Sequence, residues 1–167
     1  MKDEFARLET FFPYRLAVAA EGFSRALLEV YGHRYGLSRE EWRLLFLLAG
    51  TEKMTSLELS ARTTLDKVQV SRAAQRLEDK GLISRAIAPR DRRLRLYTCT
   101  EAGRVLFAEI LPQIEARAEA ILEAMGREGR MALEQGVAAL AAALKETAPP
   151  PAATQGPKQP QEARTAL

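Results

Sequence analysis

Two short stretches carry hydrogen-bond donors at spacings that suit a polyanion. In the first, Asp66 to Lys80, the residues Val70, Ala73, Ala74 and Leu77 recur at helical spacing, with Lys67, Gln69, Arg72, Gln75, Arg76 and Asp79 on the other side. Such a helix anchors by its apolar stripe and offers the opposite face to base edges in the major groove. An arginine there can hold guanine with two bonds, a glutamine can hold adenine, and the Val68 methyls can meet a thymine methyl. Ser71 and the free N–H groups of the first turn suit phosphate oxygens. An ordinary surface helix shows the same stripe, so this helix alone does not decide. The second stretch is Pro89-Arg90-Asp91-Arg92-Arg93. Arginines on a projecting tip fit a narrow, electronegative minor groove. Asp91 has a use among them if it pairs with a neighbouring arginine and orients it, since an unpaired carboxylate repels phosphate.

The charge distribution points the same way. Net charge is only +3, yet residues 55–98 hold ten Lys/Arg against five Asp/Glu, while the rest of the chain holds fifteen against seventeen. A basic middle inside a slightly acidic body is the electrostatic footprint of a polyanion binder. Other chemistries lack their residues. One histidine, His33, and one cysteine, Cys99, exclude an internal disulfide and a zinc site. There is no nucleophile with a base, no GxGxxG and no P-loop spacing. The expectation is a non-enzyme without cofactor or metal. No apolar run reaches the ~18 residues of a membrane span, and the acidic N-terminus lacks a signal-peptide core. A cytoplasmic protein is expected.

The elements that must position these residues follow from periodicity and caps. Leu8, Phe11, Phe12, Leu16, Ala19, Phe23, Leu27 and Tyr31 predict a helix over about 5–34, with Pro13 marking its first turn or a kink. Ser38 with Glu41 is a capping box opening a helix through Leu48, ended by Gly50. Thr55 or Ser56, with Glu58, caps a short helix to about Thr63, and Asp66 caps the donor-bearing helix, stopped by Gly81. Residues 82–87 and 93–98 read as a hairpin around the turn 88–92. Thr100-Glu101 opens a long helix containing Pro112, which predicts a bend. Gly126 and Gly129 break it before a last helix with Met131, Val137, Leu140 and Leu144. The final twenty residues hold five of the eight prolines and predict a disordered tail. The fold class expected is mainly α with a small β-hairpin wing: a winged helix-turn-helix over about 38–99, flanked by long helices at 5–34 and 100–147. These form one domain, 1–147, with a tail at 148–167. Apolar residues extend around more than one face of the first helix, which predicts packing on a second chain.

The stretch Asp66-Lys67-Val68-Gln69-Val70-Ser71-Arg72, then Arg76-Leu77-Glu78, Lys80-Gly81-Leu82-Ile83 and Arg85, resembles the MarR family of bacterial transcription regulators. The likeness continues through Asp91-Arg92-Arg93, Leu96-Tyr97 and Thr100-Glu101-Ala102-Gly103, and covers about Tyr35 to Leu111. It implies a homodimer whose terminal helices interlock, each subunit offering one winged helix-turn-helix to a pseudo-palindromic DNA operator. By position, Lys67, Val68, Gln69 and Arg72 would face bases, and Ser71, Gln75 and Arg76 phosphates or base edges. Asp91 and Arg93 would be the paired wing-tip residues, with Arg93 in the minor groove and Arg90 and Arg92 on the backbone. Relatives that sense peroxide use a cysteine near the N-terminus, which this chain lacks.

The segments Phe12-Pro13-Tyr14-Arg15-Leu16, Tyr31, His33 and Leu37 to Arg43 resemble a subset of that family associated with aromatic-acid catabolism. The resemblance implies an effector that is an aromatic carboxylate or its coenzyme A thioester. Phe11, Tyr14, Trp42 and Phe46 would wall its pocket, Arg15 or Arg43 would take the carboxylate, and His33 would add a hydrogen bond. Aromatics at helical spacing also serve as plain core. The function expected is a sequence-specific DNA-binding repressor released by such a ligand. The alternatives are a non-specific architectural DNA binder and a dimeric protein-interaction module.

Overall fold

Three successive helix starts obey one local rule. Ser38, Thr55 and Asp66 each accept the N–H of the residue three along, and Glu41, Glu58 and Gln69 each reach back to the cap's own N–H. Each box satisfies two donors that a helix start leaves open. The Asp66–Gln69 box was not read from the sequence, where Gln69 counted only as a DNA donor.

The computed structural model describes residues 10–88 and 91–147, and for residues 88 and 91–93 the backbone alone. The expected start of the first helix at Phe5, the Arg90 tip residue and the tail 148–167 lie outside the described residues. The elements are α1 (Phe12–Tyr35), α2 (Arg39–Ala49), β1 (Met54–Thr55), α3 (Ser56–Thr63), α4 (Lys67–Asp79), β2 (Ile83–Ala88), β3 (Asp91–Cys99), α5 (Glu101–Ala124) and α6 (Gly126–Glu146). The molecule is mainly helical with a small antiparallel sheet, the winged-helix class expected. Pro13 stands in the first turn of α1, where its missing N–H costs nothing.

Three expectations are corrected. The sheet has three strands in the order β1-β3-β2, since Met54 pairs with Tyr97 and Thr55 with Leu96. A two-residue strand is too short for any periodicity to reveal. Of the hairpin strands, the first is displaced by one residue, to Ile83–Ala88, and the second runs longer than expected, from Asp91 to Cys99. The ladder passes from Ile87↔Arg95 to Ala88↔Asp91, leaving Arg92, Arg93 and Leu94 without a counterpart on β2. Such a bulge bends a strand and re-aims its residues. Finally, Met125 alone separates the last two helices; Gly126 (φ 74) opens α6 and Gly129 lies within it.

The chain divides after Ala124 into two compact units. In the first, Leu44, Leu45 and Leu48 of α2 are buried with Leu59, Val70, Ala73, Ala74 and Leu77 of α3 and α4, and with Tyr97 and Cys99 of β3. The turn between α3 and α4 is held by Thr63, whose buried Oγ1 donates to the Leu59 carbonyl (2.6 Å). Thr64 then takes the left-handed conformation (φ 59), which costs a non-glycine residue about 1 kcal/mol. Thr100 ties the wing base to α5: its Oγ1 donates to the Gly81 carbonyl (2.7 Å) and accepts from Gly103 N–H (3.1 Å). Gly103 faces the Leu82 carbonyl so closely that no Cβ fits. Tyr35 Oη donates to Glu109 (2.9 Å) and accepts from Gln113 (2.6 Å), joining α1 to α5. The second unit is described only through α6. None of its residues is buried, and Met131, Leu133, Val137, Leu140 and Leu144 are exposed.

Candidate nucleic-acid interface and cavity

Helix α4 sorts its residues as the stripe requires. Val70, Ala73, Ala74 and Leu77 are buried, while Lys67, Val68, Gln69, Ser71 and Arg72 are exposed. The buried face fixes the helix and the exposed face is open for contact. Gln69 keeps its Nε2 donor, because the capping box uses only its Oε1, which accepts from Asp66 N–H at 3.0 Å.

Gln75 and Arg76 are exposed as well, but their polar atoms have partners within the protomer. Gln75 Oε1 accepts from Arg85 Nη2 (2.8 Å) and its Nε2 donates to Asp79 (2.8 Å). Both ends of the amide are therefore used within the protomer. Arg85 also pairs with Glu78 at 2.7 Å, so this cluster ties α4 to β2. Arg76 Nε lies 3.3 Å from Glu41 Oε1, with Lys80 Nζ at 2.9 Å from the same oxygen. Glu41 is only 2% exposed. Burial pushes its pKa up, but the Ser38 N–H, Lys80 and Arg76 outweigh that and hold it below the ordinary 4.5. Helical spacing placed Gln75 and Arg76 on the polar side without showing that this part of it meets α2 and β2.

Beside the first turns of α4 lies a cleft of about 180 Å³ lined by Ser56, Ser60, Lys67, Ser71, Arg95 and Tyr97, among others. Ser60 Oγ is buried there without a hydrogen-bond partner among the described residues. Hydroxyls and two cations around a cleft match the needs of a phosphate oxygen. Arg95 was not among the residues expected. Its signal is the period of two in β3, which puts it on the same face as Tyr97 and Cys99. Asp91, Arg92 and Arg93 lie in β3 by backbone, Arg92 and Arg93 within the bulge.

A larger cavity, about 530 Å³, opens between α1 and α2. Trp42, Arg43 and Phe46, three of the candidate pocket residues, line it, and it also takes Phe23, Tyr31, Arg39 and Arg62. Trp42 is sandwiched by Tyr31 and Phe107, with ring centroids 5.4 and 5.5 Å away, so it is core and wall at once. Phe11, Tyr14, Arg15 and His33 do not line this cavity in the protomer. Tyr14 and Arg15 border a separate surface groove on α1 with Phe12 and Val18, and Phe11 and His33 are exposed. Phe11, Tyr14 and Arg15 stand at the N-terminal end of α1, before its cavity-lining stretch Phe23 to Tyr31, and His33 lies after it.

Arg39 holds Glu21 of α1 as a fork, Nη1 to Oε2 at 2.7 Å and Nη2 to Oε1 at 2.8 Å. That bond to Arg39 keeps the Glu21 carboxyl below its ordinary range. Arg43 and Arg62 form no ion pair or hydrogen bond among the described residues. Cys99 is buried, and burial pushes its thiol up. No helix among the described residues is long and apolar enough to cross a membrane.

The MarR family model matches residues 35–94, the span of α2 to the wing. Over that span the chain is similar to the MarR family. A curated relative, the HTH-type transcriptional regulator YdgJ of Bacillus subtilis (strain 168), is 33% identical over 69 residues. That match covers 41% of this chain and 42% of YdgJ, under half of either. The solved structure of NadR in complex with 4-hydroxyphenylacetate matches with a TM-score of 0.69 at 24% identity, covering 81% of this chain and 98% of that one. CouR, a transcriptional repressor bound to a 23-mer DNA duplex, matches with a TM-score of 0.71 at 24% identity, over 81% and 95%. At these identities the likeness to the two structures is one of fold. The curated relative is named a transcriptional regulator.

Proposed function

We propose that this protein is a homodimeric, sequence-specific DNA-binding regulator that represses transcription and is released by a small aromatic acid or its coenzyme A thioester. The observation that carries the DNA-binding part is the face of α4: five consecutive-turn residues, Lys67, Val68, Gln69, Ser71 and Arg72, exposed above a fully buried stripe. Lys67, Val68, Gln69 and Arg72 read base edges, Ser71 and the cleft with Arg95 hold phosphate, and in the wing Arg93, paired with Asp91, reaches the minor groove while Arg90 and Arg92 contact the backbone. Apolar side chains exposed along α1 (Phe12, Tyr14, Val18) and α6 support a second copy as partner. Support for the ligand comes from the cavity, where aromatic walls stand beside three arginines. NadR, which shares the fold, carries an aromatic acid in its crystal structure.

Release follows if the ligand binds better to a form whose two reading heads no longer match adjacent grooves. A shift from 99:1 to 1:99 needs about 5.5 kcal/mol of differential binding. The test is selection of sites from a random duplex pool at two salt concentrations. An enriched inverted repeat, with half-sites about one helical turn apart, is the expected result. Salt-sensitive binding without enrichment would instead show an architectural DNA binder, and no retention would show a protein-interaction module. With a site in hand, Arg93→Ala is expected to weaken binding to all sequences alike and lower the salt slope by about one.

A further inference from the structure

We propose that Glu21 is the protein's own counter-anion in the arginine-lined cavity, and that a carboxylate ligand binds there in competition with it for Arg39. This rests on the ligand reading above and adds the residue that opposes the ligand.

The cavity wall includes Arg39, Arg43 and Arg62, and no acidic residue lines it among the described residues. A cluster of cations without counter-charge is unfavourable, and Glu21, two and three residues before the wall residues Phe23 and Ser24 on α1, compensates it through Arg39. Glu21 occupies the two Nη atoms of Arg39 and feels the charges of Arg25 and Arg43 as well. The remaining donor of Arg39, Nε, is buried with no hydrogen-bond partner among the described residues. A buried N–H left open in this way is costly, so the guanidinium is under-satisfied even with Glu21 in place.

An acid that reaches Arg39 then shares one guanidinium with Glu21. Two carboxylates on the same cation repel each other, so ligand and Glu21 oppose each other at this site. Since Glu21 belongs to α1 and Arg39 to the first turn of α2, loss of the fork removes one tie between α1 and the start of α2, leaving the Tyr31–Trp42 stack. No bond is made or broken covalently, and both acids stay ionised at neutral pH.

The test is calorimetric titration of the full chain and its Glu21→Gln variant at pH 7, with 4-hydroxyphenylacetate and with its uncharged amide as probes. Gln keeps the size and one acceptor of the side chain but removes its charge, and the half-exposed position tolerates it. The expected result is about tenfold tighter binding of the acid by Glu21→Gln, with the amide moved less than twofold. Equal tightening of acid and amide would overturn the proposal, because loosening of α1 alone would produce it. Acid binding by the wild type that Glu21→Gln leaves unchanged overturns this inference and spares the ligand reading. Binding of the acid by neither protein overturns both.

Discussion

Lys80 Nζ lies 2.9 Å from Glu41 Oε1, so the C-terminal cap of α4 is tied by charge to the first turn of α2. Lys80 also donates to the Gly36 carbonyl at 2.7 Å, and Arg76 reaches the same Glu41 oxygen. The other Glu41 oxygen accepts the Ser38 N–H at 2.6 Å. One buried carboxylate thus closes the cap of α2 and positions the helix that offers donors to DNA. A buried charge is tolerable only with this many partners.

Glu41→Gln keeps the capping acceptor and loses the attraction to Lys80 and Arg76. Both partners are more than a third exposed and regain water, so the expected cost at pH 7 is modest, about 2 kcal/mol by urea unfolding. The sign with pH follows from the lowered pKa. The stabilisation is present above the ordinary glutamate value of 4.5 and is lost as pH falls through the lower folded value. The gap between wild type and variant is therefore expected to shrink below about pH 4.5. A gap that stays constant down to pH 3 would remove the charge from the account.

Arg72 and Gln75 separate reading from support. Arg72→Ala is expected to relax preference at one base position, at a cost of about 1–3 kcal/mol. Gln75→Ala, which breaks bonds to Arg85 and Asp79, lowers thermal stability by about 1 kcal/mol and leaves base preference intact. Competition binding with single-base operator variants distinguishes them. Unchanged affinity and preference in Arg72→Ala would mean that the wrong face of α4 has been assigned to DNA.

Gly103→Ala drives a Cβ into the Leu82 carbonyl and towards Cys99 Sγ. Backbone cannot yield as a flexible side chain does, and about 3 kcal/mol of destabilisation is expected in thermal unfolding. A melting temperature equal to the wild type would show that α5 moves freely over the wing base.

Leu140→Glu places a charge in the exposed apolar row of α6. If that row meets a second copy, sedimentation shifts from dimer to monomer at micromolar concentration. Unchanged dimer mass excludes this row from the interface.

Cys99 is expected to resist alkylation in the native protein at pH 8 and to react readily in urea, because burial raises its thiol pKa and shields it. Peroxide treatment should leave DNA binding unaltered. Loss of binding that dithiothreitol restores would establish a redox role.

Much of the architecture was legible because local rules carry it. Caps at Ser38, Thr55 and Asp66, the stop at Gly81 and the stripe Val70, Ala73, Ala74, Leu77 depend on residues within a turn or two of each other. So did the open donor face of α4 around Lys67 and Arg72. What the tertiary structure alone decided involves partners far apart in the chain. Period two in β3 cannot say which face is inward, and packing chose Tyr97 and Cys99 over the half-buried Leu94 and Leu96. Gln75 and Arg76 look like free donors until β2 and α2 come against them. The cavity draws Arg39 and Arg62 from separate helices and leaves out Tyr14 and Arg15, because a pocket is made by the approach of elements rather than by the order of residues within one.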